Sequence, residues 1–183
     1  MLRPAMSPRP LAILLTLCAL ALAGMLAACG EEEELEVIEG EPVEVNGVSY
    51  NVALTRFLNP NDNQDAEYLV GQPPAEPGMN YLGVFLTVEN ESDESLFSSS
   101  RYEVVDTQGS TFEPLESESP YTLELGAQVP AEGALPLDDT TAQAGPIQGA
   151  MLLFYVDDEI TENRPLELEI ETVSTTGTVE LDI

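Results

Sequence analysis

The sequence contains no histidine, no lysine and no tryptophan among its 183 residues. Without histidine or lysine, a serine or cysteine nucleophile lacks the side-chain base that activates it in the usual dyads and triads. Zinc sites built from histidine are excluded as well, and the two cysteines, Cys18 and Cys29, are too few for a cysteine-based zinc site. Most enzyme classes are therefore excluded before any fold is considered.

Both cysteines lie near the N-terminus, and Cys29 follows an apolar segment. Arg3 and Arg9 are the only charged residues ahead of it, and the apolar run from Leu11 to Leu26 comes after them. A helix that spans a bilayer needs roughly 20 apolar residues, and this run is shorter. A basic start, a short apolar segment and small residues before a cut are typical of a secretory signal. We therefore predict a signal peptide over residues 1–28.

The segment Leu26-Ala27-Ala28-Cys29 resembles the bacterial lipobox, in which a leucine and two small residues precede a cysteine. The resemblance implies cleavage between Ala28 and Cys29 and a diacylglyceryl group on the Cys29 thiol. Each buried methylene contributes about 0.8 kcal/mol, and two or more chains anchor a protein stably. We therefore expect a lipid-anchored chain on the extracytoplasmic side of the cell membrane. An ordinary signal cleavage, or an uncleaved N-terminal helix, is the alternative.

The lone mature cysteine has a structural consequence. Cys18 lies in the segment that is discarded, so Cys29 has no partner for an internal disulfide. The mature fold must depend on its hydrophobic core, and residues 29–183 are long enough for one domain.

Acidic residues far outnumber basic ones, with 34 aspartates and glutamates against five arginines. Loss of the two signal-peptide arginines shifts the formal net charge from −29 to about −31. Phosphate backbones repel such a chain, so we expect no nucleic-acid partner. The glutamate run after Cys29 favours an extended chain. We predict a tether over residues 29–42 and a folded domain over residues 43–183, with an early edge strand at Leu35–Ile38 as the alternative.

The rest of the chain has hydrophobic side chains with period two, which predicts β-strands. Asn46-Gly47 is a hairpin signal, and the strand after it covers Val48–Thr55. Longer strands are predicted at Tyr81–Asn90 and at Met151–Val156, the second covered on both faces. Further expected features are a strand at Arg101–Asp106, its return at Thr111 and Phe112, an edge position at Pro136, and a terminal hairpin of Leu166–Ile170 and Val179–Ile183 that turns at Thr175–Gly177.

No segment has a convincing helical period. Between the strands, the proline- and glycine-rich segment Asn59–Asn80 predicts a long loop. Short strands with turn signals between them indicate an all-β fold, an immunoglobulin-like antiparallel β-sandwich of about seven to nine strands.

Three segments of this pattern resemble a family of bacterial lipoproteins whose immunoglobulin-like domain has no known function. The segments are Gly78–Asn90, Val105–Gly109 with Phe112, and Val129–Gly133. The family is grouped with telokin-like domains and the mycobacterial immunoprotective extracellular protein. The resemblance covers roughly residues 43–171 and departs at Pro136 and at Thr140–Gln148, where an insertion containing proline and glycine interrupts the run into the next strand. It implies an extracellular, anchored domain with no known enzymatic activity.

Asn61, Asn63 and Asp65 place oxygen ligands at alternate positions, as in a D-x-N-x-D calcium loop. The pattern lacks the glycine of the sixth position, where Ala66 stands, and the glutamate of the twelfth, where Gln72 stands. Carboxylates that could add ligands from other loops, or form solvated turns, are Asp138, Asp139, Asp157, Asp158 and Glu159.

Three functions follow from these observations. The first, which we expect, is a non-catalytic immunoglobulin-like interaction module that binds an envelope protein or polymer. An exposed patch that includes Tyr68 and Tyr121 would support it. The second is a calcium-dependent adhesion or sensing domain. The third is a carboxylate-based hydrolase, although the mature domain has few aromatic residues to form a sugar platform. We expect no catalytic residues.

Overall fold

Twelve β-strands and two short 3₁₀ helices make up residues 33–183, the part of the chain that this computed structural model describes. The predicted all-β sandwich is confirmed, with more strands than expected because four of them have only two or three residues. The strands are β1 (Glu33–Ile38), β2 (Pro42–Val45), β3 (Val48–Leu58), β4 (Met79–Asn90), β5 (Leu96–Phe97), β6 (Arg101–Val105), β7 (Thr111–Phe112), β8 (Gln128–Val129), β9 (Gly133–Leu135), β10 (Ala150–Asp157), β11 (Leu166–Glu171) and β12 (Thr175–Leu181). The 3₁₀ helices are Asp65–Glu67 and Asp158–Thr161.

Two sheets pack face to face. Sheet A has the strand order β1-β12-β11-β6-β7, and sheet B has the order β10-β4-β3-β2 with β9 beside the end of β4. A small third sheet pairs β5 with β8. The core lies between sheets A and B, where Tyr50, Val84 and Leu152 of sheet B meet Tyr102 and Leu168 of sheet A.

The predicted hairpin at Asn46-Gly47 joins β2 to β3. Both residues have positive φ, 53° and 80°, which suits the tight turn that matches strand twist. A bulge between Val52 and Leu54 then shifts the register of β3 against β4. Because a shift of one residue reverses the facing of later side chains, Leu54 packs outside sheet B instead of in the central core.

Strand β10 is covered on both faces, as its continuous apolar run predicts. Leu152, Phe154 and Val156 point into the core between the sheets. The alternate side chains point outward into a second cluster, which packs under loops that include the long one after β3. The buried members of this second cluster are Leu58, Tyr68, Leu69, Tyr81, Phe85, Tyr121, Ala142, Met151 and Leu153.

The fold begins earlier than the predicted boundary at residue 43. Residues 33–38 form β1, which pairs in parallel with β12, and β2 follows. The predicted tether over residues 29–42 is therefore wrong from Glu33 onward. The alternative, an early edge strand, is what the structure has there. Leu35 and Val37 pack against the core, and this burial outweighs the self-repulsion of the glutamates.

The terminal hairpin forms between β11 and β12, but its turn lies at residues 172–174 and not at the predicted Thr175–Gly177. The Thr172 hydroxyl donates to the carbonyl oxygen of Thr175 at 2.9 Å and accepts from the N–H of Thr175 at 3.2 Å. These bonds close the turn before the predicted position.

Gly177 lies inside β12, and a side chain there would have no space. A Cβ at this position would sit 2.5 Å from Cγ2 of Val45 and 3.1 Å from Cγ2 of Val43. The glycine therefore lets the two β2 valines of sheet B pack directly on the backbone of sheet A.

The predicted signal peptide, its cleavage site at Ala28, the lipidated Cys29 and Cys18 lie outside the described residues and stay predictions. Within residues 33–183, no helix is long and apolar enough to cross a bilayer.

Candidate functional site

A groove of about 890 Å³ lies on the outer face of sheet B. Thr87 and Glu89 of β4 line it, because their neighbours Leu86 and Val88 point into the core and side chains alternate along a strand. Strand β9 and residues 136–138 line it as well. Gln143 and Gln148 come from the loop that leads into β10.

The loop that contributes to this groove is the segment where the sequence departs from the resembling family. Thr140 organises it: the Thr140 hydroxyl donates to the carbonyl oxygen of Leu137 at 2.7 Å, and the Thr140 carbonyl accepts from the N–H of Ala144 at 3.2 Å. The sequence marks this segment only as an interruption. The groove itself depends on long-range packing against β4, which no local pattern reveals.

The polar part of the groove lining consists of acidic and amide side chains with no arginine, and the rest is apolar or small, including Ala134, Leu135 and Leu137. Carboxylate oxygens accept hydrogen bonds, and the glutamine amides both donate and accept. Such a surface fits a cationic or hydrogen-bonding segment that also carries apolar groups better than an anionic one. The acidic and amide lining residues are Glu89, Asn90, Glu91, Glu132, Asp138, Gln143 and Gln148.

Asn90 fixes the end of the groove at which β4 meets β9. It is only 2% exposed. Its side-chain amide donates to the carbonyl oxygens of Glu94 at 2.8 Å and Pro130 at 2.9 Å, and at 3.3 Å to that of Val129. Its oxygen accepts from the N–H and hydroxyl of Ser92 at 3.0 and 2.7 Å. One buried side chain thus joins two loops beside the groove.

The predicted calcium loop is used differently. Asn61 and Asn63 are exposed, whereas Asp65 is buried at the start of the first 3₁₀ helix. The Asp65 carboxylate forms an ion pair with the Arg56 guanidinium of β3. Its second oxygen accepts from the backbone N–H of Asn59 at 2.8 Å. A calcium ion bound here would have to displace the guanidinium.

The other carboxylates considered as ligands serve local structure or face solvent. Asp157 accepts from the N–H of Ile160 at 3.0 Å and so caps the second 3₁₀ helix. Asp158 accepts from the amide of Asn80. Asp138 and Asp139 are exposed, and Asp138 lines the groove.

Sheet A carries one carboxylate cluster that the sequence did not single out. Glu103, Glu169 and Glu171 each offer an oxygen within 4.8 Å of the others. Glu169 lies opposite Glu103 across the β6–β11 pair, and Glu171 forms an ion pair with Arg101 at 2.7 Å. The alternation of glutamates along β11 indicates that Glu169 and Glu171 share one face. The register of β11 against β6, which brings Glu103 beside them, is not visible in the sequence.

Tyr68 and Tyr121 do not form the exposed patch that would support an interaction module, because both rings are buried. Tyr68 packs on Phe85 and Tyr121 with ring-centre distances of 5.1 and 4.7 Å. The Tyr121 hydroxyl donates to Glu67 at 3.0 Å. That bond to a carboxylate, followed by burial, raises the pKa of Tyr121.

Asp106 holds together two loops at the end of β6. Burial alone would raise its pKa, but hydrogen bonds from the N–H groups of Ser110 and Gln108 and from the Asn163 amide outweigh it, so the pKa lies below its ordinary value. The N–H bonds measure 2.8 and 2.9 Å, and the amide bond measures 3.0 Å. The carboxylate is therefore a structural acceptor.

Sequence comparisons give no assignment: no model of a known protein family matches the chain, and no curated protein matches it. Solved structures do match in shape. An uncharacterised β-sandwich protein of Clostridium difficile has a TM-score of 0.50 and 15% identity, covering 83% of this chain and 97% of its own.

MPT63, a secreted protein of Mycobacterium tuberculosis, also has a TM-score of 0.50, with 13% identity, covering 81% of this chain and 98% of its own. This match agrees with the relationship to a mycobacterial extracellular protein that the sequence segments suggest. At such identities the likeness concerns the fold alone, and the chain shares the β-sandwich fold of these two bacterial proteins.

Proposed function

We propose that the mature chain is a non-catalytic binding module, anchored to the extracytoplasmic face of the cell membrane through a diacylglyceryl group on Cys29. The groove on sheet B holds its partner, an envelope protein or polymer. The observation that carries the proposal is the groove itself, an open depression of about 890 Å³ lined by carboxylates and amides beside apolar residues of β9 and the segment after it.

The location rests on the lipobox-like segment, and the fold is compatible with it. A secreted mycobacterial protein has the same β-sandwich fold. A fold without internal disulfides depends on its core, and the chain has two clusters of buried hydrophobic side chains, one between the sheets and one outside sheet B.

The side chains that line the groove indicate which chemical class of partner it binds. Four of its lining residues, Glu89, Glu91, Glu132 and Asp138, are acidic, and Gln143 and Gln148 add donors and acceptors. A lysine- or arginine-bearing segment of an envelope protein, or an amine-bearing polymer, complements this lining. No histidine or lysine exists in the chain to pair with these carboxylates as a catalytic base or nucleophile, which favours binding over turnover.

The test is crosslinking in intact cells followed by mass spectrometry, with charge-reversal variants as probes. Glu89→Arg places a cation in the groove. Glu44→Arg is the matched control: Glu44 is exposed on the same sheet, two strands away in the same cross-strand row, and does not line the groove. We expect one partner to be recovered with the unchanged chain and with Glu44→Arg, and lost with Glu89→Arg.

Cys29→Ala separates anchoring from binding. We expect the Cys29→Ala chain to be absent from the membrane fraction and the unchanged chain to be present in it. Mass spectrometry of the unchanged chain should find an N-terminal peptide that begins with a lipidated Cys29. Equal recovery of the partner with Glu89→Arg and Glu44→Arg would exclude the groove as the binding site. Recovery of no partner with any variant would refute the binding module.

The alternatives from the sequence stay predictions. Calcium binding at Asn61, Asn63 and Asp65 competes with the ion pair to Arg56. It predicts a large rise in melting temperature with calcium and none with sodium at equal ionic strength. A hydrolase predicts turnover of a glycosidic substrate that disappears when a groove carboxylate is replaced by its amide.

A further inference from the structure

The first described residue shows which end of the sandwich lies next to the anchor. Glu33 pairs with Thr175 at the start of β12, immediately after the β11–β12 turn. Cys29 is four residues before Glu33, and four residues span at most about 14 Å. A lipid on Cys29 therefore holds this end of the domain close to the bilayer surface.

Three chain segments form that end, and contacts between them hold it together. They are the turn at residues 172–174, the hairpin tip Asn46-Gly47 and the segment Phe97–Ser100. The Ser99 hydroxyl donates to the carbonyl oxygen of Glu171 at 2.5 Å. Asn46 at the hairpin tip lines one cleft together with Ser98 and Thr172. We call this surface the anchor end.

Two large apolar side chains stand out from the anchor end into solvent. Phe97 is 66% exposed, and Val173 is fully exposed. Both line one shallow cleft of about 240 Å³, together with the hydroxyl-bearing residues between them. Exposed apolar side chains are ordinary when scattered, but here two share one cleft at the end from which the chain leads to Cys29.

The cleft is nearly free of charge in a strongly acidic protein. Of the residues that line it, only Glu171 has an acidic or basic side chain, and it pairs with Arg101 at 2.7 Å. Acidic residues do adjoin these segments in the sequence: the run Glu31–Glu34 precedes the body of β1, and Asp93 and Glu94 precede β5. Anionic headgroups would repel these residues, so a zwitterionic bilayer suits this end best.

We propose that Phe97 and Val173 insert into the interface of the bilayer that holds the Cys29 lipid, so that the domain stands on its anchor end. The inference rests on the proposed lipidation of Cys29. Neither side chain alone would hold the domain at a membrane. The lipid keeps both side chains close to the bilayer surface. Their insertion is then the second contact of an already anchored chain, at a high effective concentration. Apolar groups at the interface gain burial by inserting into it.

The absence of tryptophan allows a direct test. Phe97→Trp and Val173→Trp each introduce a single fluorescent reporter. Ile38→Trp is the control: Ile38 is 55% exposed and ends β1 beside Glu180, about 16 Å along the strand from Glu33. Each lipidated chain is reconstituted into phosphatidylcholine vesicles. Emission is then compared with and without brominated phosphatidylcholine, and circular dichroism checks the fold.

We expect brominated lipid to quench the reporters at positions 97 and 173 at least twofold more than the reporter at position 38, with emission shifted to the blue. Equal, weak quenching at all three positions in a chain whose Cys29 carries lipid would refute the inference and leave the anchor standing. An N-terminal peptide without lipid would refute the anchor itself. Blue-shifted emission at position 97 without bromine quenching would also refute the inference, since a protein surface, such as a second copy, would then cover the cleft.

Discussion

Replacing Gly177 by alanine should destabilise the protein because the new methyl group has no space. Its Cβ would lie 2.5 Å from Cγ2 of Val45 and 3.1 Å from Cγ2 of Val43, whereas carbon atoms pack best at about 3.5–4.0 Å. The overlap is therefore about 1 Å against the branched end of a buried valine. A turn glycine, as the sequence suggested, would have no such neighbour.

The expected magnitude is the difference of two effects. Overpacking a well-packed core costs about 1–3 kcal/mol. Replacing glycine by alanine stabilises by about 0.4–1 kcal/mol through the unfolded chain. Taken at their midpoints, the two effects leave a net loss of about 1.3 kcal/mol, which lowers the melting temperature of a domain this size by about 3–5 °C.

A double-mutant cycle with Val45→Ala assigns the loss to this contact. Val45→Ala alone removes buried methyl groups and should cost about 1–3 kcal/mol. In the double variant the alanine at position 177 gains the space that the valine leaves, so the combined loss should fall short of the sum by about 1 kcal/mol or more. Urea unfolding followed by circular dichroism measures all four chains.

Two results would refute this reasoning. A neutral Gly177→Ala would mean that β12 does not pack on β2 as described. Losses that add within about 0.5 kcal/mol would mean that Val45 is not the side chain that the new methyl meets.

Three further predictions concern buried polar groups. Asn90→Ala should destabilise by about 2–4 kcal/mol because buried carbonyls lose their donor, whereas the exposed control Asn61→Ala should change urea stability by less than about 0.5 kcal/mol; equal effects would contradict the role of Asn90. The lowered pKa of Asp106 means that its ionised form contributes stability above the ordinary aspartate pKa of about 3.9, and that this is lost as pH falls through the lower native pKa. The stability gap to Asp106→Asn should therefore shrink in acid, and a gap that stays constant from neutral to acid pH would exclude this linkage. Burial raises the pKa of Tyr50 and of Tyr102, so stability should be full below about pH 10 and fall above it. The tyrosinate absorbance that is lost in Tyr50→Phe and Tyr102→Phe should rise only together with loss of circular dichroism, and its rise without unfolding would argue against burial.

The sequence predicts the strands that have a long enough hydrophobic period. Strands β3, β4, β10 and β11 are where alternation or a continuous apolar run placed them. The two-residue strand β7 is also where the turn after β6 predicts it, at Thr111 and Phe112. The short strands β5, β8 and β9 are not predicted, because a period needs several residues to be recognised. The sequence predicts a tether over β1 because the run Glu31–Glu34 overlaps its start, although Leu35 and Val37 alternate on its buried face.

Site features depend on distant packing, and here local patterns failed. Tyr68 and Tyr121 lie in polar, loop-like segments, yet both rings are buried against Phe85 or each other. The calcium-like spacing at Asn61–Asp65 gives no sign that Arg56, nine residues before Asp65, would pair with its carboxylate. The groove requires the loop before β10 to lie beside β4, which spacing along the chain does not encode.

The parallel pairing of β1 with β12 joins the first strand of the fold to the last. This contact spans nearly the whole domain, and long-range contacts slow folding because the loop must close first. The N-terminal strand cannot dock until the C-terminal residues have been synthesised and have reached it. A chain cut short before Thr175 would leave β1 without its partner strand. The sandwich therefore gains its first strand only after the last one is in place.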